Sequence, residues 1–327
     1  MSKIILGDTG CKECISHGRD KTHNHMILFR NEETGEEWGS CNRCGNYEVF
    51  EKGTTPTPNE KKELSPEELR EILDDCLELP QGELTRRLIP KAVSERFECR
   101  IGLSQTDGQT PDSYFFPRER DGNIVGYEVK LLDSKKFYYV GSVKEADLFG
   151  MAQAQRGDVY NKKLFIFEDP LSCMSGFHVL TAFTNATNIK PACVSLPFGA
   201  GSISAVLSRN RDFVNGFEEV VLCMDNDDAG EIALTKGRSL FPHVKFARIP
   251  KGTFPYNGVE KEIKDANDML LSGRGQELFN ILKYSAKRES PAGAVTIFDC
   301  LDDALKKAEW GIPYPWKTLN EMTFGIR

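Results

Sequence analysis

Residues 220–229 read VVLCMDNDDA. An apolar run from Val220 to Met224 stops at Asp225, Asn226, Asp227 and Asp228, and AGEIALTKGRSLF then continues with helical periodicity. A short, continuously apolar run suits a strand buried on both faces, as in a parallel sheet covered by helices. The same pattern recurs around it. KLFIFED (163–169) is a buried strand before the helical PLSCMSGFHVLTAFT. ACVSLPFGAG (192–201) is a second strand, ending in glycines, before SISAVLSRNRDFV. EEVVLCMDND (218–227) is the third, and VKFARIP (244–250) is a fourth. Strands alternating with helices predict an α/β domain with a parallel sheet over 161–275.

Ligands of open α/β sheets bind outside the carboxyl ends of the strands. One strand here ends in Glu168 and Asp169, another in Asp225 and Asp227. If the two are neighbours, these carboxylates converge and repel unless a cation neutralises them. Hard oxygen donors suit Mg²⁺ or Mn²⁺, which keep coordination positions for phosphate and so point to phosphoryl-transfer chemistry. Asp227 or Asp228 is also expected to cap the following helix. A receiver-like acidic pocket is the competing reading. It needs a phosphorylatable Asp and a Lys at a later strand end, which the sequence does not supply.

The N-terminal 53 residues have too few apolar side chains for an ordinary core. They carry two Cys-x₂-Cys knuckles, Cys11/Cys14 and Cys41/Cys44, separated by 26 residues. That arrangement predicts a structural four-cysteine zinc ribbon, with a longer hairpin than the usual spacer. His17, His23 and His25 compete as ligands, but four thiolates already complete a tetrahedron. The other six of the ten cysteines sit singly in apolar surroundings and read as core.

A Pro- and Thr-rich linker is expected at 54–64. SPEELREILDDCLEL (65–79) then reads as a helix with Ser65, Pro66 and Glu68 forming its start. LIPKAVSERFECRIGLS (88–104) reads as a short helix leading into a strand. SYFFPRERDGNIVGYEVKLLDSKKFYYVG (113–141) reads as a strand, an Asp-Gly turn and two more strands, with cations and aromatics interleaved. This mixed α+β part is expected over 65–160, a helical part over 276–310 and a terminal linker over 311–327. Net charge is −7, yet Arg86 to Lys163 holds 14 Lys/Arg against 11 Asp/Glu, so a local basic groove is compatible with the acidic total. The chain shows neither a signal peptide nor an apolar run long enough for a membrane span, so a cytoplasmic location is expected.

CMDNDDAGEIA (223–233), KDANDML (264–270), DGNIVGYEVKLLDSKKF (121–137) and ADLFG (146–150) carry a resemblance. A Glu after the first strand and Asp-x-Asp after the third resemble the Toprim domain of primases, topoisomerases and some nucleases. In combination, these motifs resemble the primase half of bifunctional phage primase–helicases, and GIPYPWKTLNEMTFGIR (311–327) resembles the segment leading to the helicase. The resemblance implies that Glu168 is a general acid/base or metal ligand and that Asp225 and Asp227 bind metal. It implies that Lys130, with Lys135 or Lys136, holds nucleotide or template phosphate. Asp265 and Asp268 are second-rank members of the acidic cluster, weighed against a polar helix start. For the ribbon it implies template reading, for which Arg30, Trp38, Arg43 and Tyr47 have suitable chemistry. Packing of a small ribbon is the alternative for these residues.

One departure stands out. The family pattern is Glu-Gly-x-x-Asp, and this chain has EDPLS: Asp169 replaces the Gly and Ser172 the second acid. Either Asp169 supplies the missing carboxylate as a metal ligand or the site is weakened. The resemblance implies a DNA-dependent RNA primase using structural zinc and catalytic Mg²⁺ or Mn²⁺. Its partners would be single-stranded DNA, ribonucleoside triphosphates, a replicative helicase in cis or as a separate chain, and a DNA polymerase. A Toprim nuclease and a non-catalytic DNA-binding or helicase-associated module are the alternatives. No G-x-x-x-x-G-K-[ST] loop is present, so no helicase motor is expected in this stretch. The chain is then a naturally short form, a split gene product or a truncated piece.

Overall fold

The computed structural model describes residues 3–17, 23–41, 44–51, 54–56, 65–104, 106–134, 136–184, 189–241, 243–288 and 315–323. Arg43, Lys135, most of the expected linker and the whole segment 289–314, with Cys300, lie outside the described residues. The chain divides into two units, Met1–Lys287 and Arg288–Arg327.

The first unit begins with β1 (Lys3–Thr9), a short helix α1 (Lys12–Ser16), β2 (Met26–Asn31), β3 (Glu37–Cys41) and β4 (Tyr47–Phe50). The four strands pair antiparallel in chain order. Their buried cluster is Cys11, Cys14, Met26, Leu28 and Cys41. Three of those five are cysteines, so little apolar surface stabilises this sheet.

Helix α2 (Pro66–Glu78) starts as expected: Ser65 Oγ accepts from Glu68 N at 3.1 Å, and Glu68 Oε2 accepts from Ser65 N at 2.8 Å. Helix α3 (Lys91–Arg96) leads to a second antiparallel sheet, β5 (Arg100–Leu103), β6 (Pro111–Arg120), β7 (Asn123–Leu131) and β8 (Phe137–Gly141), again in chain order. Asp121 and Gly122 take φ of 50° and 76°, the left-handed pair that a two-residue hairpin turn requires. One face of this sheet buries Tyr127 and Val129 against Cys76 and Leu73 of α2. The other face puts Tyr114 and Phe116 into the main core.

Helix α4 (Met151–Ala154) precedes the parallel sheet. In chain order follow β9 (Val159–Phe167), α5 (Pro170–Ala182), β10 (Lys190–Ser195), α6 (Ile203–Arg209), α7 (Arg211–Asn215), β11 (Glu219–Cys223), α8 (Asp228–Leu240) and β12 (Lys245–Phe246). The spatial order is β10-β9-β11-β12, all parallel. Alternate residues feed two cores. Phe165, Phe167, Val221 and Cys223 face α5, while Leu164, Ile166, Val220 and Leu222 face α6 and α8. Burial on both faces is why these strands read as unbroken apolar runs. The expected fourth strand is short. Ala247 N still bonds Leu222 O at 2.9 Å, and regular pairing ends there.

The hairpin β13 (Thr253–Tyr256) and β14 (Val259–Glu262) was not expected from the sequence. It turns at Asn257 and Gly258, with φ of 51° and 80°. Helices α9 (Ala266–Leu271) and α10 (Gly275–Asn280) and a π-helical turn over Ile281–Ser285 close the first unit. In the second unit α11 spans Lys317–Thr323. Among the described residues, no helix is long and apolar enough to cross a membrane.

Candidate functional site

Strand β9 connects outward to β10 on one side, and β11 connects outward to β12 on the other. The sheet therefore reverses its winding between β9 and β11, and a crevice opens at their carboxyl ends. Glu168 and Asp169 follow β9, and Asp225 to Asp228 follow β11, so both acidic runs border that crevice.

Glu168 bridges two strand ends. Its Oε2 accepts from Asp225 N, and its Oε1 accepts from Ala200 N in the loop after β10, both at 3.3 Å. Burial raises its pKa, and Asp227 and Asp169 push it up further against the pull of those two N–H donors. Asp225 is shifted furthest. Burial, then the charges of Asp169, Glu168, Asp265 and Asp227, push it up to about 9. Asp265 rises to about 7, through burial and then Asp268 and Asp169. Burial first, and then the neighbouring acids, thus oppose ionisation of this group.

Asp169 has two separate tasks. Its Oδ1 accepts from Ser172 N at 2.8 Å and caps α5, with Pro170 in the first helical position. Its Oδ2 pairs with the Lys130 ammonium, which reaches across from β7. Burial alone would pull Lys130 down, but Asp169 and Glu128 outweigh it and hold it above its ordinary value. The same pair keeps Asp169 low despite its own burial. Lys130 also stands 3.7 Å from Glu128, which in turn pairs with the fully buried Arg118. A chain of alternating charge, Arg118–Glu128–Lys130–Asp169, thus joins the antiparallel sheet to the crevice. Arg118 and Glu128 were missed from sequence. Glu128 lies two residues before Lys130 on the same strand face, and that period was the available signal. Ser172, where the resembled pattern has its second acid, is 1% exposed.

The remaining expected residues are distributed as follows. Asp227 is exposed and caps α8 through Gly230 N at 3.0 Å. Asp265 caps α9 through Asp268 N at 2.6 Å. Asp268 is 2% exposed and committed to Lys261 and to Lys264 N, the polar helix-start role. Lys136 Nζ lies 2.8 Å from where a Cβ on Gly45 would be. Arg30 pairs with Glu37 at 2.6 Å. Trp38 is half-buried and stacks on Phe29 with ring centroids 5.6 Å apart. Tyr47 is exposed.

Gly230 sets the approach of α8 to the crevice. A Cβ there would stand 2.0 Å from Asp225 O. Gly230→Ala is therefore expected to displace the Asp225 backbone and to cost about 2–3 kcal/mol of stability, read as a lowered urea midpoint.

The second centre is the cysteine cluster. Cys11 Sγ lies 3.5 Å from Cys44 Sγ, and Cys14 Sγ lies 3.7 Å from Cys41 Sγ. All four sulfurs fall within 4.8 Å of one another. A tetrahedral zinc with Zn–S bonds of about 2.3 Å places its sulfurs roughly 3.8 Å apart, so donor type and spacing both fit zinc. His17 is outside the cluster and exposed, with Nδ1 2.8 Å from Glu13 O. Among the described residues, the carboxylates form no group of three or more at that spacing.

No family model matches the chain. It is 26% identical over 193 residues to the DNA helicase/primase of Enterobacteria phage T3, covering 58% of this chain and 30% of that protein. The chain therefore spans less than a third of the length of this curated relative. Two solved structures are also similar. One is the primase fragment of the bacteriophage T7 primase-helicase protein, with TM-score 0.47 and 21% identity over 85% of this chain and 99% of that one. The other contains primase domains with the T7 lagging-strand DNA polymerase and an RNA/DNA hybrid, with TM-score 0.48 and 24% identity over 64% of this chain and 94% of that one.

Proposed function

We propose that this chain is a DNA primase, joining ribonucleotides into short primers on single-stranded DNA. The observation that carries the reading is Glu168 joining the ends of β10 and β11 through Ala200 N and Asp225 N, with Lys130 entering from a second sheet to pair with Asp169. The sequence similarity to a phage DNA helicase/primase supports it. In this reading a 3′-hydroxyl oxygen bonds to the α-phosphorus of the next nucleotide, the α–β bridging bond breaks and pyrophosphate leaves. Glu168, fixed by two backbone N–H groups, takes the hydroxyl proton. Lys130 holds phosphate and Lys136 holds the template backbone. Asp225, Asp227 and Glu168 would hold Mg²⁺ or Mn²⁺, with Asp169 beside them. The donors are carboxylate oxygens, the type Mg²⁺ and Mn²⁺ take, but among the described residues no three of them stand at metal-ligand spacing, so binding would need these side chains to draw together. When bound, such an ion supplies positive charge opposite the triphosphate.

The ribbon selects the start site, using Arg30, Arg43 and Trp38, and helps hold the short product. A helicase, in cis or separate, and a DNA polymerase are the partners, and the cytoplasm of a bacterial or phage-infected cell is the place of action. The test is incubation of the chain with single-stranded DNA and labelled ribonucleotides, with Mg²⁺ or Mn²⁺. Short oligoribonucleotides are expected. Degraded template would establish a nuclease instead, and DNA binding with neither product would establish a non-catalytic module.

A further inference from the structure

Strand β8 is the open edge of the second sheet, and its side chains divide between two faces. Tyr138 and Val140 pack against the cluster of Tyr127 and Val129. Phe137 and Tyr139 point the other way, 51% and 37% exposed. They lie opposite Lys130 and Glu128 in the sheet register, so they share a face with the cation that reaches Asp169. Phe137 meets Tyr139 edge-on with centroids 5.8 Å apart, and Tyr139 meets Phe198 edge-on at 5.7 Å. Phe198 sits two residues before Ala200, whose N–H donates to Glu168. At the far end, Lys136 precedes Phe137 and its ammonium abuts Gly45 in the second cysteine knuckle. Three rings thus run in file from the ribbon to the carboxylate crevice, with Lys136 and Lys130 both beside Phe137, the first of them.

Exposed aromatics on a sheet edge invite association, and natural edges usually avoid them. The flanking lysines decide the occupant. Ring faces next to cations suit a strand that offers unpaired bases and phosphates together. A duplex hides its base faces, and an apolar protein patch has no use for the lysines. We propose that Phe137, Tyr139 and Phe198 form a stacking platform for unpaired bases of single-stranded DNA, leading the strand from the ribbon into the crevice. The assignment deepens the primase reading and rests on it only for the strand's destination.

The test is fluorescence-anisotropy titration of the full chain with labelled oligo-dT over a range of salt, without nucleotide or divalent metal. A chain that makes no primers can therefore still be scored. Phe137→Ala and Tyr139→Ala should each weaken binding by about 5- to 100-fold. Neither should change the slope of log K against log salt, because neither removes a phosphate contact. Tyr139→Phe should bind like the parent. Lys136→Ala should instead lower that slope by about 0.7. If Tyr139→Ala fails to fold, Phe137→Ala, the more exposed site, decides alone. Parental affinity in the alanine variants overturns the proposal. So does equal loss in Tyr139→Phe, or a loss seen only with free nucleoside triphosphate.

Discussion

Replacing Asp225 by Asn is expected to abolish primer synthesis while raising the melting temperature in buffer free of Mg²⁺ and Mn²⁺. The two effects share one cause. Burial and four neighbouring carboxylates push Asp225 up to about 9 in the folded chain. In the unfolded chain an aspartate titrates near ~3.9. Between those values the native state binds more protons than the unfolded state, so stability falls as pH rises from roughly 4 to 9. Asn has the same shape and never ionises, so its advantage is absent at acid pH and largest above about pH 9. Asp225 keeps some exposure, so the shift is discounted to about 1–3 kcal/mol, or roughly 2–5 °C in a unit of this size. A divalent ion should raise the parental melting temperature and leave Asp225→Asn unmoved. Primer synthesis should fall on the order of 10³-fold, the loss of several kcal/mol of charge stabilisation. Calorimetry at acid, neutral and alkaline pH, with and without Mn²⁺, measures the first effect and a primer assay the second. An Asn variant that melts lower at alkaline pH, or a parent indifferent to Mn²⁺, would contradict a cation-binding crevice.

The parallel sheet was legible in the sequence because burial on both faces leaves a mark that needs no knowledge of neighbours. VVLC and LFIF are apolar throughout, and each ends where the acids begin. The adjacency of β9 and β11, assumed from the strand-end logic, is the register in which Cys223 pairs with Phe167. What was illegible depends on two sheets meeting. Lys130 and Asp169 are 39 residues apart, and only the docking of β7 against the start of α5 brings them together. The EDPLS departure acquires a physical account only in three dimensions. One oxygen of Asp169 caps α5 and the other pairs with Lys130, so the residue in the family's glycine position serves as a tether between sheets. The hairpin at 253–262 did announce itself, through Asn257-Gly258. Its flanks TFPY and VEKE lack strand alternation, and the signal went unread. Strand β1 was missed for a related reason. Ile4 and Ile5 are both exposed, 44% and 64%, so its apolar residues follow no burial period.

Removal of zinc is expected to unfold the ribbon and leave the parallel sheet intact. Among the described residues, the ribbon's buried cluster holds, besides three cysteines, Met26 and Leu28, with Leu6 and Phe50 partly buried against it. The two buried side chains contribute about 3–6 kcal/mol on burial, far below the ordering cost of four strands at about 1–2 kcal/mol per residue. Metal binding at a four-thiolate site supplies about 10–16 kcal/mol more, all of it folding free energy. The thiols alone cannot replace it. Burial and the neighbouring cysteines push Cys14 upward, so without a cation it stays protonated and the short sulfur contacts gain little. One zinc per chain should be released by a thiol-reactive mercurial. Amide exchange in residues 26–41 should then become fast, while residues 164–167 and 220–223 remain protected by the two cores that flank them. Cys14→Ser, at a fully buried ligand, should reproduce the same pattern without any reagent. Retained protection over 26–41 in the zinc-free chain would mean that the strand ladder, not the metal, holds the ribbon. The argument from its poor core would then be wrong.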